Sequence, residues 1–204
     1  MATIVRIDRK SCLPDEVANG LRGILSRDGL IVYPTDTLYG LGTRISKEGI
    51  VRVFKAKRRP TKRKPPILLS ETHKALDLIE PTNMFWKLAR KYWPGPLTIV
   101  AKASVEAPEH LQEWGYVGVR LPDNCVAREI AEIAGGYIIG TSANISGEPT
   151  PSTIKSIYKI FGDIVDMYID SGPLTGPPST VVLVEKDRVK VLRKGVIEID
   201  AFSL

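Results

Sequence analysis

Three short runs hold most of the residues able to do chemistry. The first, Tyr33-Pro34-Thr35-Asp36-Thr37-Leu38-Tyr39-Gly40-Leu41-Gly42, follows an apolar, strand-like stretch. Its two threonine hydroxyls stand at alternate positions, so on extended backbone they share a side and can meet one small polar ligand. A turn stapled by local hydroxyl-to-backbone bonds fits the same residues. The second run, 55–64, carries seven cations in ten positions: Lys55, Lys57, Arg58, Arg59, Lys62, Arg63 and Lys64. It follows a helical pattern and straddles a proline, so several long side chains splay around one loop. That suits a triphosphate or an RNA backbone, or a solvated charged face. The third run, Gly140-Thr141-Ser142-Ala143-Asn144-Ile145-Ser146-Gly147, follows another strand-like stretch. Its small and hydroxylic residues permit close backbone approach to phosphate.

Several chemistries are excluded by pattern. Neither GxxxxGK[ST] nor GxGxxG occurs, so a nucleotide would be held outside those two fingerprints. Ser142 is not in a GxSxG elbow, and His73 and His110 are the only histidines, both in polar surroundings. HExxH, an EF-hand loop and paired histidine ligands are absent, so no permanent metal site is expected. Two isolated arginines remain. Arg120 ends a strand-like run and can either aim into a strand-end crevice or form an edge salt bridge; Arg193 stands in the same position after the last run. Trp86 and Trp93, with Phe85 and Tyr92, read as core packing.

The elements that must position these residues can be read from periodicity. Strand-like runs lie at 3–7, 30–33, 66–69, 97–102, 116–121, 137–140, 167–169, 180–184 and 189–192. Helical patterns lie at 14–25, 47–56, 84–92, 125–134 and 153–161. Asp123 or Asn124 can cap the fourth helix and Ser152 the fifth. Interleaving predicts an α/β domain, and the last two strands, with no helix between them, predict a mixed sheet. Loops rich in Gly, Pro, Ser and Thr at 33–43, 93–97, 140–152 and 171–180 abut strands, where ligands bind in open α/β sheets.

The 204 residues, 43% hydrophobic and 25% charged, are read as one domain over 1–204. Cys12 and Cys125 are far apart and form no CxxC, which argues against a disulfide scaffold and suits a reducing compartment. No apolar run approaches the roughly 18 residues of a membrane span, and a cytoplasmic location with no membrane partner is expected. Net charge is +6 and the pI about 9.3, a balance that favours polyanionic partners.

In order along the chain, YPTDTLYGLG (33–42), KAKRRP (55–60), WPGPLTIVAK (93–102), VGVRLPD (117–123), TSANISGEPTP (141–151), PSTVV (178–182) and LRKG (192–195) resemble the YrdC-like family of threonylcarbamoyl-AMP synthases. The resemblance implies a twisted, open mixed sheet with flanking helices and a basic concave face, in the single-domain form. It implies a nucleotidyltransferase: L-threonine and bicarbonate or CO2 give an N-carboxylate, which attacks the α-phosphate of ATP to yield threonylcarbamoyl-AMP and pyrophosphate. A separate threonylcarbamoyl transferase complex would then deliver the group to tRNA, forming threonylcarbamoyladenosine. Mg²⁺ would arrive with ATP.

Residue by residue, the resemblance assigns Thr35, Arg120, Gly140 and Ser179 to threonine. It assigns Lys57, Arg59, Lys64, Ser142, Thr150 and Arg193 to ATP, with Lys57 and Arg59 supplying charge stabilisation and no residue acting as a nucleophile. The chain departs from the family pattern at Lys64, where asparagine is usual, at Leu69, where some relatives have histidine, and at Tyr116, which replaces a small hydroxyl residue. The alternative is a non-catalytic protein of the YrdC/YciO type that binds double-stranded RNA or tRNA through the 55–64 patch.

Overall fold

The computed structural model describes residues 1–58 and 64–199. Chain order is β1 (Thr3–Arg6), α1 (Asp15–Ser26), β2 (Ile31–Tyr33), β3 (Gly40–Thr43), α2 (Lys47–Lys57), β4 (Ile67–Leu69), α3 (Asn83–Tyr92), β5 (Leu97–Lys102), β6 (Tyr116–Arg120), α4 (Cys125–Ile133), β7 (Tyr137–Ser142), α5 (Ile154–Phe161), β8 (Met167–Asp170), β9 (Thr180–Glu185) and β10 (Arg188–Arg193), with short 3₁₀ turns between. The strands form one ten-stranded sheet in the order β1-β8-β2-β3-β7-β4-β6-β5-β9-β10. Parallel and antiparallel pairs mix, and β9–β10 is the expected antiparallel hairpin.

Strand alternation divides the core between the two faces. Ile31, Tyr33, Leu68 and Ile138 pack with Leu21 and Ile24 of α1 and Val126 and Ile130 of α4. Their neighbours Val32, Ile67, Leu69 and Ile139 point the other way, to Ile50 and Val53 of α2, Phe85 and Leu88 of α3, and Ile157 of α5. Trp93 is buried, with Trp86 packed against the same core, as expected.

Three expectations are corrected. The 33–43 loop contains β3, whose Gly-Leu-Gly-Thr sequence reads as a turn yet pairs with both β2 and β7. The cap of α5 is Thr153, whose hydroxyl accepts from the Ser156 amide, because the helix begins one residue later than predicted. Asn124 caps α4 as expected. Cys12 and Cys125 are joined as a disulfide across 113 residues: sequence separation is no barrier once α1 and α4 lie side by side on one sheet face. Among the described residues no helix is long and apolar enough to cross a membrane.

The start of α2 is fixed by a small polar network. Ser46 caps the helix by accepting from the Gly49 amide at 2.8 Å and donates to Asp28 Oδ1 at 2.5 Å, while Arg44 Nε donates to the same oxygen at 2.7 Å. The Arg44 hydrogen bond, against the opposing effect of burial and with help from Ser46, holds the Asp28 carboxyl below its usual range. Its stabilisation is therefore fully present above the unfolded value of about 3.9 and is lost as pH falls through the lower folded value. Asp28 has φ 59°, which asparagine tolerates. Asp28→Asn should lower the urea midpoint at pH 7, and its difference from the parent protein should shrink towards pH 3. Parallel acid limbs would show that the pair contributes nothing.

Candidate functional site

The Thr35–Leu38 turn is held by one hydroxyl. Thr35 Oγ1 accepts from the amides of Thr37 (3.1 Å) and Leu38 (3.2 Å) and donates to the Leu38 carbonyl (2.7 Å). Thr37 Oγ1 lies 3.1 Å from it. The turn reading of these threonines is realised: Thr35's hydroxyl is engaged within its own turn, with the Thr37 hydroxyl beside it. The turn delivers Asp36 and Thr37 onto Arg120, the last residue of β6. Arg120 is 5% exposed. Its Nη2 donates to Asp36 Oδ1 at 2.5 Å, Nη1 to Thr37 Oγ1 at 3.3 Å, and Nε to the Gly95 carbonyl at 3.1 Å. Three of five guanidinium N–H donors are engaged, which leaves one on each terminal nitrogen.

The ladder carries this cluster sideways. Ile99 pairs with Val119, so Thr98 lies beside Arg120 on the same sheet face. Thr98 Oγ1 is 3.1 Å from Ser179 Oγ, and Arg193 Nη2 donates to Ser179 Oγ (3.0 Å) and to its carbonyl (2.8 Å). The chain just beyond Arg193 folds back, with the Val196 amide donating to the Pro178 carbonyl. Burial and the neighbouring Arg120 charge both push the Arg193 pKa down. Arg120, Ser179 and Arg193, with the turn that Thr35 closes, therefore lie in one neighbourhood of the sheet.

Gly140 takes a different part. Its amide donates to the Pro66 carbonyl at 2.9 Å, and a Cβ there would come within 2.5 Å of Leu68 and 3.0 Å of the Tyr33 hydroxyl. A Cβ at Gly40 would likewise meet the Tyr33 ring at 2.9 Å. These glycines let the fully buried Tyr33 lie flat against the sheet. Burial raises the Tyr33 pKa, only partly opposed by Arg120, and its hydroxyl has no hydrogen-bond partner.

A second buried cation sits at the end of α2. Lys57 is 2% exposed. Its ammonium donates to the Ser142 carbonyl and, at 2.9 and 3.1 Å, to the Asn144 carbonyl and Oδ1. Ser142 Oγ donates to the same Oδ1 at 2.6 Å, and Asn144 Nδ2 donates to the Ile145 and Glu148 carbonyls. Lys57 thus clamps the loop after β7, and Ser142 belongs to that clamp. Gly40 pairs with Ser142, so clamp and Arg120 cluster flank adjacent strands. Thr150 is half-buried further along this loop. Lys64 lies over the Phe54 ring at 5.7 Å, and its amide donates to Glu113. Arg59, with Lys62 and Arg63, lies outside the described residues. Leu69 is wholly buried in the core, and Tyr116 donates its hydroxyl to Glu185.

A family model named for Sua5, YciO and YrdC, and described as telomere recombination, matches residues 23–195. The chain belongs to the Sua5–YciO–YrdC family. It is 32% identical over 183 residues to the threonylcarbamoyl-AMP synthase of Pyrococcus abyssi, covering 87% of this chain and 54% of that one, so it spans about half of that relative. It is 32% identical over 157 residues to the synthase of Coxiella burnetii, covering 75% and 83% respectively. The solved P. abyssi Sua5 complexed with L-threonine superposes with a TM-score of 0.85 at 28% identity, over 96% of this chain and 57% of that chain. Escherichia coli YciO superposes at 0.90 and 26% identity, over 99% and 100%.

Sequence reasoning missed Asp36, Thr98 and Asn144 as site-forming residues, while Thr37 was singled out with Thr35 by its alternate hydroxyl. Asp36 and Asn144 stand inside quoted motifs; the signal at Asp36 was a carboxylate where an anionic ligand was assigned, and at Asn144 an amide able both to accept and to donate. Lys57→Met should unfold at lower urea, by about 2–3 kcal/mol, because the Ser142 and Asn144 acceptors lose their shared donor. An unchanged midpoint would show that the clamp is dispensable.

Proposed function

We propose that the chain is an L-threonylcarbamoyladenylate synthase acting for tRNA threonylcarbamoyladenosine modification. The observation that carries this reading is Arg120: a buried guanidinium held on three sides by Asp36, Thr37 and Gly95, with two N–H donors left over. That is a receptor for an amino-acid carboxylate. The threonine side is then Arg120, Ser179 and the turn of Thr35, which acts through its backbone, with Gly140 giving clearance beneath.

In the reaction, threonine's amine adds to CO2, or to bicarbonate with loss of water, giving the N-carboxylate. One carboxylate oxygen bonds to the α-phosphorus of ATP as the bond to pyrophosphate breaks. The chain need only align the groups and offset charge. Arg193 stands where it can face nucleotide and threonine at once, and Lys57 holds the Ser142 loop in shape for phosphate. Arg59, Lys64 and Thr150 complete the nucleotide side in this proposal. Mg²⁺ comes with ATP and is held by phosphates and water; Asp36 Oδ1 is taken by Arg120. We read residues 1–204 as one YrdC-like unit working in the cytoplasm and handing its product to a transferase complex.

The charge run over 55–64 supports a second reading: a protein of the same fold that binds double-stranded RNA or tRNA without synthase chemistry. Pyrophosphate release with ATP and Mg²⁺, with L-threonine and bicarbonate supplied or withheld, separates the two. Release that needs both, with an AMP adduct of threonylcarbamoyl-AMP mass, is expected. Arg120→Ala should weaken threonine binding by roughly 10- to 100-fold with ATP binding little changed. Equal losses for both ligands would remove Arg120 from the threonine side. ATP binding without turnover would point to a family relative with another acceptor, and no ATP binding at all would favour the second reading.

A further inference from the structure

The two cysteines are the reactive pair that the synthase reading leaves unused. Cys12 lies in the exposed connection between β1 and α1, and Cys125 is the first residue of α4, half-buried behind its Asn124 cap. The bond between them ties that connection to the helix start. A second tie lies beside it: the Leu13 amide donates to Glu129 Oε2 at 2.7 Å, and Glu129 stands four residues beyond Cys125 on the same face of α4.

We propose that Cys12–Cys125 is a thiol–disulfide exchange site for a low-molecular-weight dithiol, and that its state sets how firmly the start of α4, and through it Arg120, is held. The geometry favours attack at one sulfur. A thiolate of the dithiol bonds to the exposed Cys12 Sγ as the S–S bond breaks, and Cys125 leaves as a thiolate at a helix N-terminus, where the dipole stabilises negative charge. The dithiol's second thiolate then attacks its own sulfur in the mixed disulfide. Cys12 is released as a thiolate, both cysteines take up protons to become thiols, and the dithiol ends as its cyclic disulfide. The reverse step uses a low-molecular-weight disulfide as oxidant.

The link to Arg120 is four residues long. Leu121, directly after Arg120, accepts at its carbonyl from the Gly95 amide at 2.9 Å, and the Gly95 carbonyl is the acceptor for Arg120 Nε. Pro122 is held from α4 itself, by Arg128 Nη1 on its carbonyl at 2.8 Å. A loosened α4 start therefore reaches the Gly95–Arg120 contact through hydrogen bonds and two residues of backbone. With the disulfide open, the Leu13–Glu129 bond remains, so the latch slackens without releasing the segment.

Intact mass and amide hydrogen exchange on the air-oxidised protein, before and after dithiothreitol, test this. Exchange over 121–130 should rise about tenfold on reduction while the 180–193 hairpin stays unchanged. Cys12→Ser should show the faster rate with or without dithiothreitol, and Cys12→Ser with Glu129→Ala, which removes the acceptor for the Leu13 amide, a faster one still. Two free thiols in the oxidised sample, or identical exchange in both states, would overturn the exchange site. The link to Arg120 rests on the synthase reading: reduction should weaken L-threonine binding several-fold and leave ATP binding alone. Equal threonine affinity in both states overturns that link. No threonine binding in either state, with the exchange response intact, counts against the synthase reading and leaves the latch standing.

Discussion

A buried guanidinium must be paired, and much of the site's architecture answers the demand made by Arg120. An uncompensated charge at 5% exposure would be prohibitive, and removing one member of a buried pair typically costs about 3–5 kcal/mol. Asp36 supplies the counter-charge, and it can do so only because Thr35 closes its turn and β3 carries the chain back beside β2. Tyr33 fits beneath because Gly40 and Gly140 have no side chains. Gly95 offers a carbonyl from the loop before β5. The turn places Asp36 and Thr37, and the loop the Gly95 carbonyl, around one cation, while the glycines make room for Tyr33.

Lys57 plays the matching part on the other flank. It is buried, it terminates α2, and it gathers carbonyls from the loop after β7. Two buried cations organising two loops, with Arg193 over the first, make a site that is positively charged and preorganised before any ligand arrives. Preorganised charge is what nucleotidyl transfer most requires of a protein, since the nucleophile and leaving group both belong to substrates. The absence of a convincing nucleophile in the sequence agrees with that division of labour.

Hydrophobic periodicity made most elements legible. All nine strand-like runs and all five helical patterns correspond to observed elements with small shifts at their ends. β3 escaped because two glycines in four residues carry no strand signal; its pairing is imposed by neighbours on both sides. Arg120, Ser179 and Arg193 were singled out through motif order, and the structure sets them near one another. Asp36 and Asn144 were not, because their partners are other parts of the protein, and that depends on side-chain geometry across 84 and 87 residues. The Cys12–Cys125 pairing was hidden for the same reason: local spacing says nothing about two helices packed side by side.

The central claim is that Arg120's two remaining donors receive a carboxylate. Calorimetric titration of the protein with L-threonine and with L-threoninol, which replaces the carboxylate by an alcohol, tests it most directly. Threonine binding, with the alcohol weaker by roughly 10- to 100-fold, is the predicted result. Equal affinity for the two would contradict it, because the ligand would then be held by something other than the Arg120 fork.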